Sequence, residues 1–148
     1  MTTVADILKF VETLAPRDLK MDWDNVGLNC GHSDRPVTKI LVALDPFTHV
    51  CHEAKEIGAD LLVTHHALIF KPGFITDGDN QGRNTLFLIE NGIAHINAHT
   101  NLDQAPGGVN DVLAEKLGLA NVQIVNPLNG VGMIRCGDVA EQTLETGL

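Results

Sequence analysis

The first apolar pattern along the chain has a helical period. Ile7, Phe10, Val11 and Leu14 recur at helical spacing within TVADILKFVETL (residues 3–14), which indicates one apolar face of a helix. Threonine precedes this run and Pro16 follows it, as is usual where a helix begins and ends. The pattern therefore predicts an amphipathic first helix over 3–14.

Short apolar runs and amphipathic segments alternate through the middle of the chain. The predicted elements are a strand at 39–45, a helix at 48–58, a strand at 60–66, a helix at 83–92, a strand at 93–99 and a helix at 108–119. Such alternation predicts parallel strands joined by right-handed helical crossovers. We expect an α/β fold with a mainly parallel sheet and flanking helices.

Three stretches have no sustained period. MDWDNVGLNCG (21–31) is rich in Asp, Asn and Gly and is predicted to be an ordered loop that enters a short extended piece. KPGFITDGDN (71–80) is predicted to be a loop of turn-forming residues. The last stretch, 126–148, is poor in apolar residues and shows no clear final element.

Length and composition indicate one globular domain over residues 1–148. The chain has 148 residues, of which 44% are hydrophobic and 20% charged, and domains of this size bury most of their apolar surface. Its formal charge of -9 disfavours nucleic-acid binding, because a phosphate backbone would be repelled. Cys30, Cys51 and Cys136 are widely spaced without a C-x-x-C pair, so we expect reduced, mostly buried thiols.

The sequence also lacks the patterns that direct a chain to a membrane. It contains no run of about 18 apolar residues, the length that spans a bilayer. The first ten residues, MTTVADILKF, lack the basic head and apolar run of a signal peptide. We therefore expect a cytoplasmic protein that does not contact the membrane.

Polar side chains follow three of the predicted strands. Asp45 follows the first, His65 and His66 the second, and His99 with Asp103 the third. Loops and ligands gather at the carboxyl ends of parallel strands, so all five are expected at one rim. Imidazole and carboxylate together are ligands of zinc, iron, manganese or nickel. The pattern predicts a divalent metal site.

The adjacent histidines set a geometric condition. Neighbouring side chains on a strand point to opposite faces, so His65 and His66 can converge only if the chain has left the extended conformation. They could then hold different ions of a two-metal site that Asp103 bridges.

Simpler interpretations remain open for several of these residues. Either histidine of the pair could be a hydrogen-bonded core residue, and Asp103 in NLDQAPGG could be a turn former. Asp45 precedes Pro46 and could cap a helix or form a turn. The Gly107 and Gly108 pair resembles a phosphate-binding turn, although simple helix entry is favoured. Four other histidines are not at the end of a predicted strand: His32, His49, His52 and His95.

Four segments, in this order and spacing, resemble one known family. They are WDNVGLNCG (23–31), ILVALD (40–45), GADLLVTHHALIF (58–70) and INAHTNLDQAPGGVNDVLAEKLGL (96–119). Together they are similar to the NGG-interacting-factor-three-like proteins, also called GTP cyclohydrolase type two homologues. The resemblance covers residues 3–138, and it implies one lobe of the two-lobed fold of that family.

The resemblance implies roles for particular residues. His65, His66 and Asp103 match ligands of a dinuclear metal centre, which holds up to two ions when intact. Trp23, Asp24 and Asn25 match a segment that lies near that centre, as possible substrate-contacting or supporting residues. His99 and Asp45 are expected in the same supporting group, and His99 could also transfer protons.

The sequence departs from the family pattern in its second half. Relatives have a further histidine and glutamate near the end of a longer chain, and no histidine follows Asp103 here. The missing ligands are expected from another polypeptide, or else the site is partial and weaker. The family forms ring-shaped hexamers, so we expect a homo-oligomer in which an exposed apolar patch is covered.

Two classes of function follow from these expectations. The first is a divalent-metal-binding, hydrolase-like protein that acts on a small molecule, a nucleotide or a pterin precursor, in the manner implied by the cyclohydrolase label. The alternative is a non-catalytic metal-binding scaffold or regulatory protein, which the missing ligands favour.

Overall fold

The computed structural model describes residues 1–71, 73–125, 127 and 130–141. Its elements are α1 (Val4–Leu14), β1 (Gly27–Cys30), β2 (Ile40–Ala43), α2 (Thr48–Glu56), β3 (Leu61–Thr64), α3 (Asn80–Glu90), β4 (Ala94–Asn97), α4 (Thr100–Gln104), α5 (Val109–Lys116), β5 (Ala120–Val125) and β6 (Ile134–Asp138). A short 3₁₀ helix at Arg17–Leu19 follows α1. No helix in these described ranges is long and apolar enough to cross a membrane.

Four of the strands form a mainly parallel sheet in the order β1-β4-β3-β2. β2, β3 and β4 are parallel, and β1 runs antiparallel beside β4. The parallel pairs arise from the units β2–α2–β3 and β3–α3–β4, in which the helix returns the chain to the same end of the sheet. The predicted α/β class with a mainly parallel sheet is confirmed. The carboxyl ends of these three strands therefore share one rim.

Helix α1 covers one face of the sheet, as its apolar stripe predicts. Its N-terminus has a capping box: the Asp6 amide donates to Thr3 Oγ1 at 3.3 Å, and the Thr3 amide donates to Asp6 Oδ2 at 2.8 Å. The apolar side contributes the fully buried Val4, which packs with Leu61 and Ile96. The first predicted helix is thus confirmed, with Thr3 as its cap.

Helices α2 and α3 cover the opposite face. Cys51 of α2 and Leu88 of α3 are fully buried there with Leu62 of β3. Burial raises the pKa of Cys30 to about 12 and that of Cys51 to about 11, so both are neutral thiols that pack as small apolar groups. Cys136, in contrast, is exposed.

Strand β2 leaves an apolar strip uncovered at the edge of the sheet. Val42 is 73% exposed and Leu44 62%, and Ile40 lies on the same side of the strand. Ile40 and Val42 pair with residues of β3 on the face of the sheet that α1 covers, but α1 does not extend over β2. The strip is the kind of surface that self-association would cover, and the homo-oligomer itself stays a prediction.

The prediction of no final element is wrong for the described part of 126–148. β6 (Ile134–Asp138) pairs antiparallel with β5 (Ala120–Val125) in a separate two-stranded sheet. Most residues of both strands are exposed, so neither carries the alternation of a half-buried strand. Residues 142–148 lie outside the described residues.

The strands β2, β3 and β4 and the helices α2 and α5 are shorter than predicted by two to four residues, and two further differences concern helices. Helix α3 begins at Asn80, three residues earlier than its apolar pattern, because the Asp79 carboxylate caps it by accepting from the Gly82 amide at 2.7 Å. The short helix α4 (Thr100–Gln104) was not predicted, since five residues are too few to show a period. The α3 boundary thus depends on a local hydrogen bond, to which apolar patterns are insensitive.

Gly107 and Gly108 turn the chain from α4 into α5, as helix entry requires. Gly107 has φ +73°, a conformation that favours glycine. A Cβ at Gly108 would lie 1.9 Å from the carbonyl oxygen of Leu102. Close packing of the two helices therefore accounts for the glycine pair without a bound phosphate.

His95 occupies the centre of the sheet and is fully buried. The Thr64 hydroxyl donates to the His66 carbonyl at 2.5 Å, so it accepts from His95 Nε2 at 2.8 Å. Among the described residues, His95 Nδ1 has no hydrogen-bond partner. Burial lowers the pKa of His95 to about 3, and the ring is therefore neutral in the folded protein near pH 7.

Acid should destabilise the metal-free protein through His95. Its pKa is 6.5 as a free group and about 3 in the fold, so between these values the unfolded chain binds a proton that the folded chain does not. The free energy of unfolding then falls as the pH falls, by up to about 1.4 kcal/mol per pH unit. Urea denaturation between about pH 5.5 and 6.5, where carboxyl groups titrate little, measures this slope.

The variant His95→Gln isolates this contribution, and His52→Gln on the exposed side of α2 is its matched control. We expect the free energy of unfolding to depend less steeply on pH in His95→Gln than in the parent protein, and equally steeply in His52→Gln. Equal slopes in all three proteins would contradict the assignment to His95.

Candidate metal centre

Three parallel strands deliver polar side chains to one rim of the sheet. Asp45 follows β2, His65 and His66 follow β3, and His99 follows β4. Strand β3 ends at Thr64, so the chain is no longer extended at the histidine pair and the two rings can turn toward the same side. The two rings can converge on one site only under this condition, as the adjacent positions of His65 and His66 in the sequence indicate.

Three imidazoles pack against one another at this rim. The ring centroids of His65 and His66 are 4.9 Å apart, those of His65 and His99 5.0 Å, and those of His66 and His99 5.5 Å. One ring nitrogen of each lies within 4.8 Å of the others, and the group could hold a metal ion. His99, expected only as a supporting residue, therefore stands with the histidine pair among the available donors.

The hydrogen bonds of the three rings determine which nitrogens are available. Each Nδ1 contacts an oxygen that can only accept, so each Nδ1 carries the hydrogen and donates it. The contacts are His65 Nδ1 to Ala98 O (3.0 Å), His66 Nδ1 to Asp45 Oδ1 (2.5 Å) and His99 Nδ1 to Asp24 Oδ1 (3.0 Å). In the neutral form of each ring, Nδ1 therefore carries the hydrogen and Nε2 the lone pair, which is how metal-binding histidines are oriented in proteins.

Asp24 is the buried anchor of His99. Its side chain is 0% exposed, and its second oxygen accepts from the Thr100 amide at 3.1 Å and the Thr100 hydroxyl at 2.5 Å. Burial alone would raise the pKa of the Asp24 carboxyl, but the hydrogen bonds from Thr100 and His99 hold that pKa below its ordinary value. Asp24 therefore stays ionised and fixes both the tautomer and the orientation of His99.

Asp103 approaches the cluster from helix α4. Its Oδ1 lies 3.5 Å from His65 Nε2, and the two side chains are only 13% and 15% exposed. The turn interpretation of Asp103 is wrong, because the residue lies within α4 (Thr100–Gln104). Burial lowers the pKa of His65 despite the opposing effect of the Asp103 carboxylate, so this imidazole is neutral near pH 7.

Asp45 supports His66 on the more open side of the cluster. It does not cap α2, whose N-cap is Phe47, so the capping interpretation is wrong. The Asp45 carboxylate instead accepts from His66 Nδ1, and the two side chains are 25% and 45% exposed. Solvent or a small molecule can therefore reach the cluster from the His66 side.

The loop that precedes β1 supplies the remaining predicted residues. The Trp23 ring lies edge-on to His99 with centroids 6.1 Å apart. Asn25 Nδ2 donates to the carbonyl of Ile69 at 2.6 Å, so this side chain connects two loops and does not contact the histidines. Of this segment, Asp24 and Trp23 adjoin the cluster.

Sequence reasoning missed three contributors to the site. Thr100 could have been found, since it lies beside His99 in the motif HTNLD. The Ala98 carbonyl could not, because any residue offers the same backbone oxygen. Phe70 follows the loop of the histidine pair and reaches Trp23 only through the fold, with ring centroids 5.9 Å apart.

The histidines outside the strand ends also lie outside the cluster. His49 and His52 are exposed on α2, His32 is exposed after β1, and His95 is in the core. Within the described residues, the cluster of His65, His66 and His99 is the one group of its kind.

The chain matches the family model for Duf34/NIF3 (NGG1p interacting factor 3) over residues 2–147. The protein belongs to the Duf34/NIF3 family. This confirms the resemblance that the sequence motifs indicate, and the match covers every residue of the histidine cluster.

Relatives within the Duf34/NIF3 family are called "GTP cyclohydrolase 1 type 2 homolog". The Clostridium perfringens protein is 49% identical over 114 residues, which cover 76% of this chain and 44% of that protein. The Methanocaldococcus jannaschii protein is 40% identical over 132 residues, which cover 87% of this chain and 52% of that one. The chain thus spans about half the length of these relatives.

Solved structures of the family have the same fold. A Bacillus cereus protein related to NIF3 superposes with a TM-score of 0.81 at 40% identity, covering 86% of this chain and 36% of that one. Reduced HcgD from Methanocaldococcus jannaschii superposes with a TM-score of 0.75 at 38% identity, covering 83% and 50%. The α/β architecture that carries the cluster is therefore shared with family members.

Proposed function

We propose that His65, His66 and His99 bind a divalent metal ion through their Nε2 atoms, with Asp103 as a further ligand or bridge. The observation that carries this proposal is the set of three Nδ1 hydrogen bonds, which leaves Nε2 of each ring available in a cluster where one ring nitrogen of each histidine lies within 4.8 Å of the others. Nitrogen and carboxylate donors suit zinc, iron, manganese or nickel. With Asp103 as a bridge, the centre would hold up to two ions.

We infer that this centre serves a hydrolase-like reaction on a nucleotide or a pterin precursor. The name that the relatives carry supports this substrate class. A bound divalent ion would supply Lewis acidity, which polarises a substrate oxygen and makes water acidic enough to attack near neutral pH.

The chain's own residues fit such a reaction. Asp24 and Asp45 hold His99 and His66 in one tautomer, so the donors need no reorganisation when a substrate arrives. Asp103 offers a carboxylate beside His65 Nε2, where it can accept the proton that an attacking water releases. The partly exposed His66 marks the side from which a substrate would enter.

Product release from metal-loaded protein tests the proposed function. The purified chain is loaded with each candidate metal, its ion content per chain is determined by elemental analysis, and formate release from GTP is measured. A panel of cyclic amides and phosphodiesters is assayed in parallel. We expect turnover that stops on chelation and returns when metal is restored, whereas loaded protein that turns over none of these compounds would contradict a hydrolytic role.

A non-catalytic metal-binding scaffold or regulatory protein is the alternative. It is favoured by the donor count, since the cluster offers three imidazoles and the carboxylate of Asp103, which are few for two ions. This alternative predicts stoichiometric metal binding without turnover of any panel compound.

A further inference from the structure

Two aromatic side chains form a corner beside the histidine cluster. Trp23 and Phe70 have ring centroids 5.9 Å apart with an interplanar angle of 58°. They remain 58% and 43% exposed, although each would bury more apolar surface in the core. We call this pair the aromatic corner.

Hydrogen bonds between loops hold the aromatic corner in place. Asn25 Nδ2 donates to the Ile69 carbonyl at 2.6 Å, which fastens the Trp23 loop to the residue before Phe70. The Phe70 amide donates to Gln81 Oε1 at 3.1 Å. The corner is thus preorganised, and a ligand that binds it need not order either loop.

The aromatic corner adjoins the proposed metal site directly. The Trp23 ring lies edge-on to His99 at 6.1 Å, and His99 in turn lies 5.0 Å from His65. A flat ring of one or two fused cycles that lies on the indole face can therefore extend an edge toward the imidazoles. A flexible chain would gain no comparable contact with a rigid aromatic face.

The charges near the corner argue against recognition by phosphate alone. Asp24, Asp45 and Asp103 lie around the cluster, and the chain carries a formal charge of -9. Carboxylates repel a phosphate group but not the face of a neutral heterocycle. A bound divalent ion would offset this repulsion, but contact between a phosphate and the ion would not distinguish one base from another. The aromatic corner offers a surface that can recognise the ring itself.

We propose that Trp23, supported by Phe70, is a specificity-determining residue that stacks on a planar heteroaromatic ring and presents its edge to the histidine cluster. This inference rests on the proposed function, because it names the part of the substrate that the site recognises. The metal site and the stacking surface involve different residues, so they can be tested separately.

Trp23 is the one tryptophan of the chain, and the chain has no tyrosine, so fluorescence excited at the indole band reports on this residue alone. Guanosine is titrated into zinc-loaded and metal-free protein, with ribose 5-phosphate as the control that lacks a heteroaromatic ring and N-acetyltryptophanamide as the control for collisional quenching. We expect saturable quenching by guanosine and none by ribose 5-phosphate. Quenching that only matches the free indole overturns the proposal.

Variants assign the binding to the corner. Calorimetry of guanosine binding should show an affinity about tenfold or more weaker for Trp23→Leu, with affinity largely kept in Trp23→Phe. Phe10→Leu, an exposed aromatic change on α1, should bind as the parent does. Undiminished binding by Trp23→Leu overturns the proposal, and if that variant fails to fold, the parent fluorescence titration decides.

Zinc content separates this inference from the proposed function. The stacking role of Trp23 is supported if Trp23→Leu binds as much zinc as the parent protein but binds guanosine more weakly. If the parent protein binds zinc but shows no saturable quenching, the stacking role of Trp23 is overturned, whereas the proposed metal site is supported. Saturable quenching in a protein that binds no metal would overturn the proposed function on which the inference rests.

Discussion

His65→Ala is expected to weaken metal binding by at least about 100-fold, the upper end of the range for residues that only support a ligand. The ring is nearly central in the cluster, with the other two imidazoles and Asp103 around it. Its low pKa keeps it neutral and ready to bind at pH 7. Competition with a chelating dye measures the affinity, and elemental analysis measures the ions bound per chain.

The matched control for this substitution is His49→Ala, a histidine exposed on α2 and outside the cluster. Metal should stabilise the parent and the control by about 2.7 kcal/mol when present at 100 times the dissociation constant. The same metal concentration should stabilise His65→Ala far less. Equal affinity in His65→Ala and the parent would show that the cluster is not the metal site.

Asp24→Asn should have the second large effect, because it alters both the fold and the cluster. The carboxylate accepts from Thr100 twice and from His99, all in a buried position. An amide nitrogen would place a donor against one of those donors, at a cost of about 2–4 kcal/mol in the free energy of unfolding. Metal affinity should fall by about 10- to 100-fold, because His99 loses the group that orients it.

Asp22→Asn is the control for Asp24→Asn, since Asp22 is an exposed carboxylate two residues away. Urea denaturation of metal-free protein gives the stability difference, and dye competition gives the affinity. The pKa of Asp24 is lowered in the fold. The contribution of the ionised Asp24 to the free energy of unfolding is therefore complete above about pH 4 and is lost as the pH falls through the lowered pKa. A stable Asp24→Asn protein with parent affinity would refute the anchoring role.

The predicted fold class depended on patterns that survive in a single sequence. Buried parallel strands such as LLVT (61–64) are continuous apolar runs, and the intervening helices bury one stripe each. The β5–β6 pair escaped prediction because its residues are mostly exposed. Apolar patterns record burial, so an exposed element leaves little trace in them.

The candidate site was predictable in part, for a topological reason. Parallel strands end at a common rim, so the positions of His65, His66 and His99 after strands imply proximity before any distance is known. Which of these residues support others was not predictable. Asp45 was open to a capping role until its bond to His66 was seen, and His99 was expected as a support although it stands among the donors.

The sequence by itself determined the alternation of strands and helices, the family, and the residue types that gather at the rim. The tertiary structure alone decided the tautomers of the three histidines, the burial of Asp24 and the meeting of Trp23 with Phe70. The reason is physical: periodicity is a property of neighbouring residues, whereas a hydrogen bond such as that from His99 to Asp24 joins groups 75 positions apart. Only the folded backbone sets such distances.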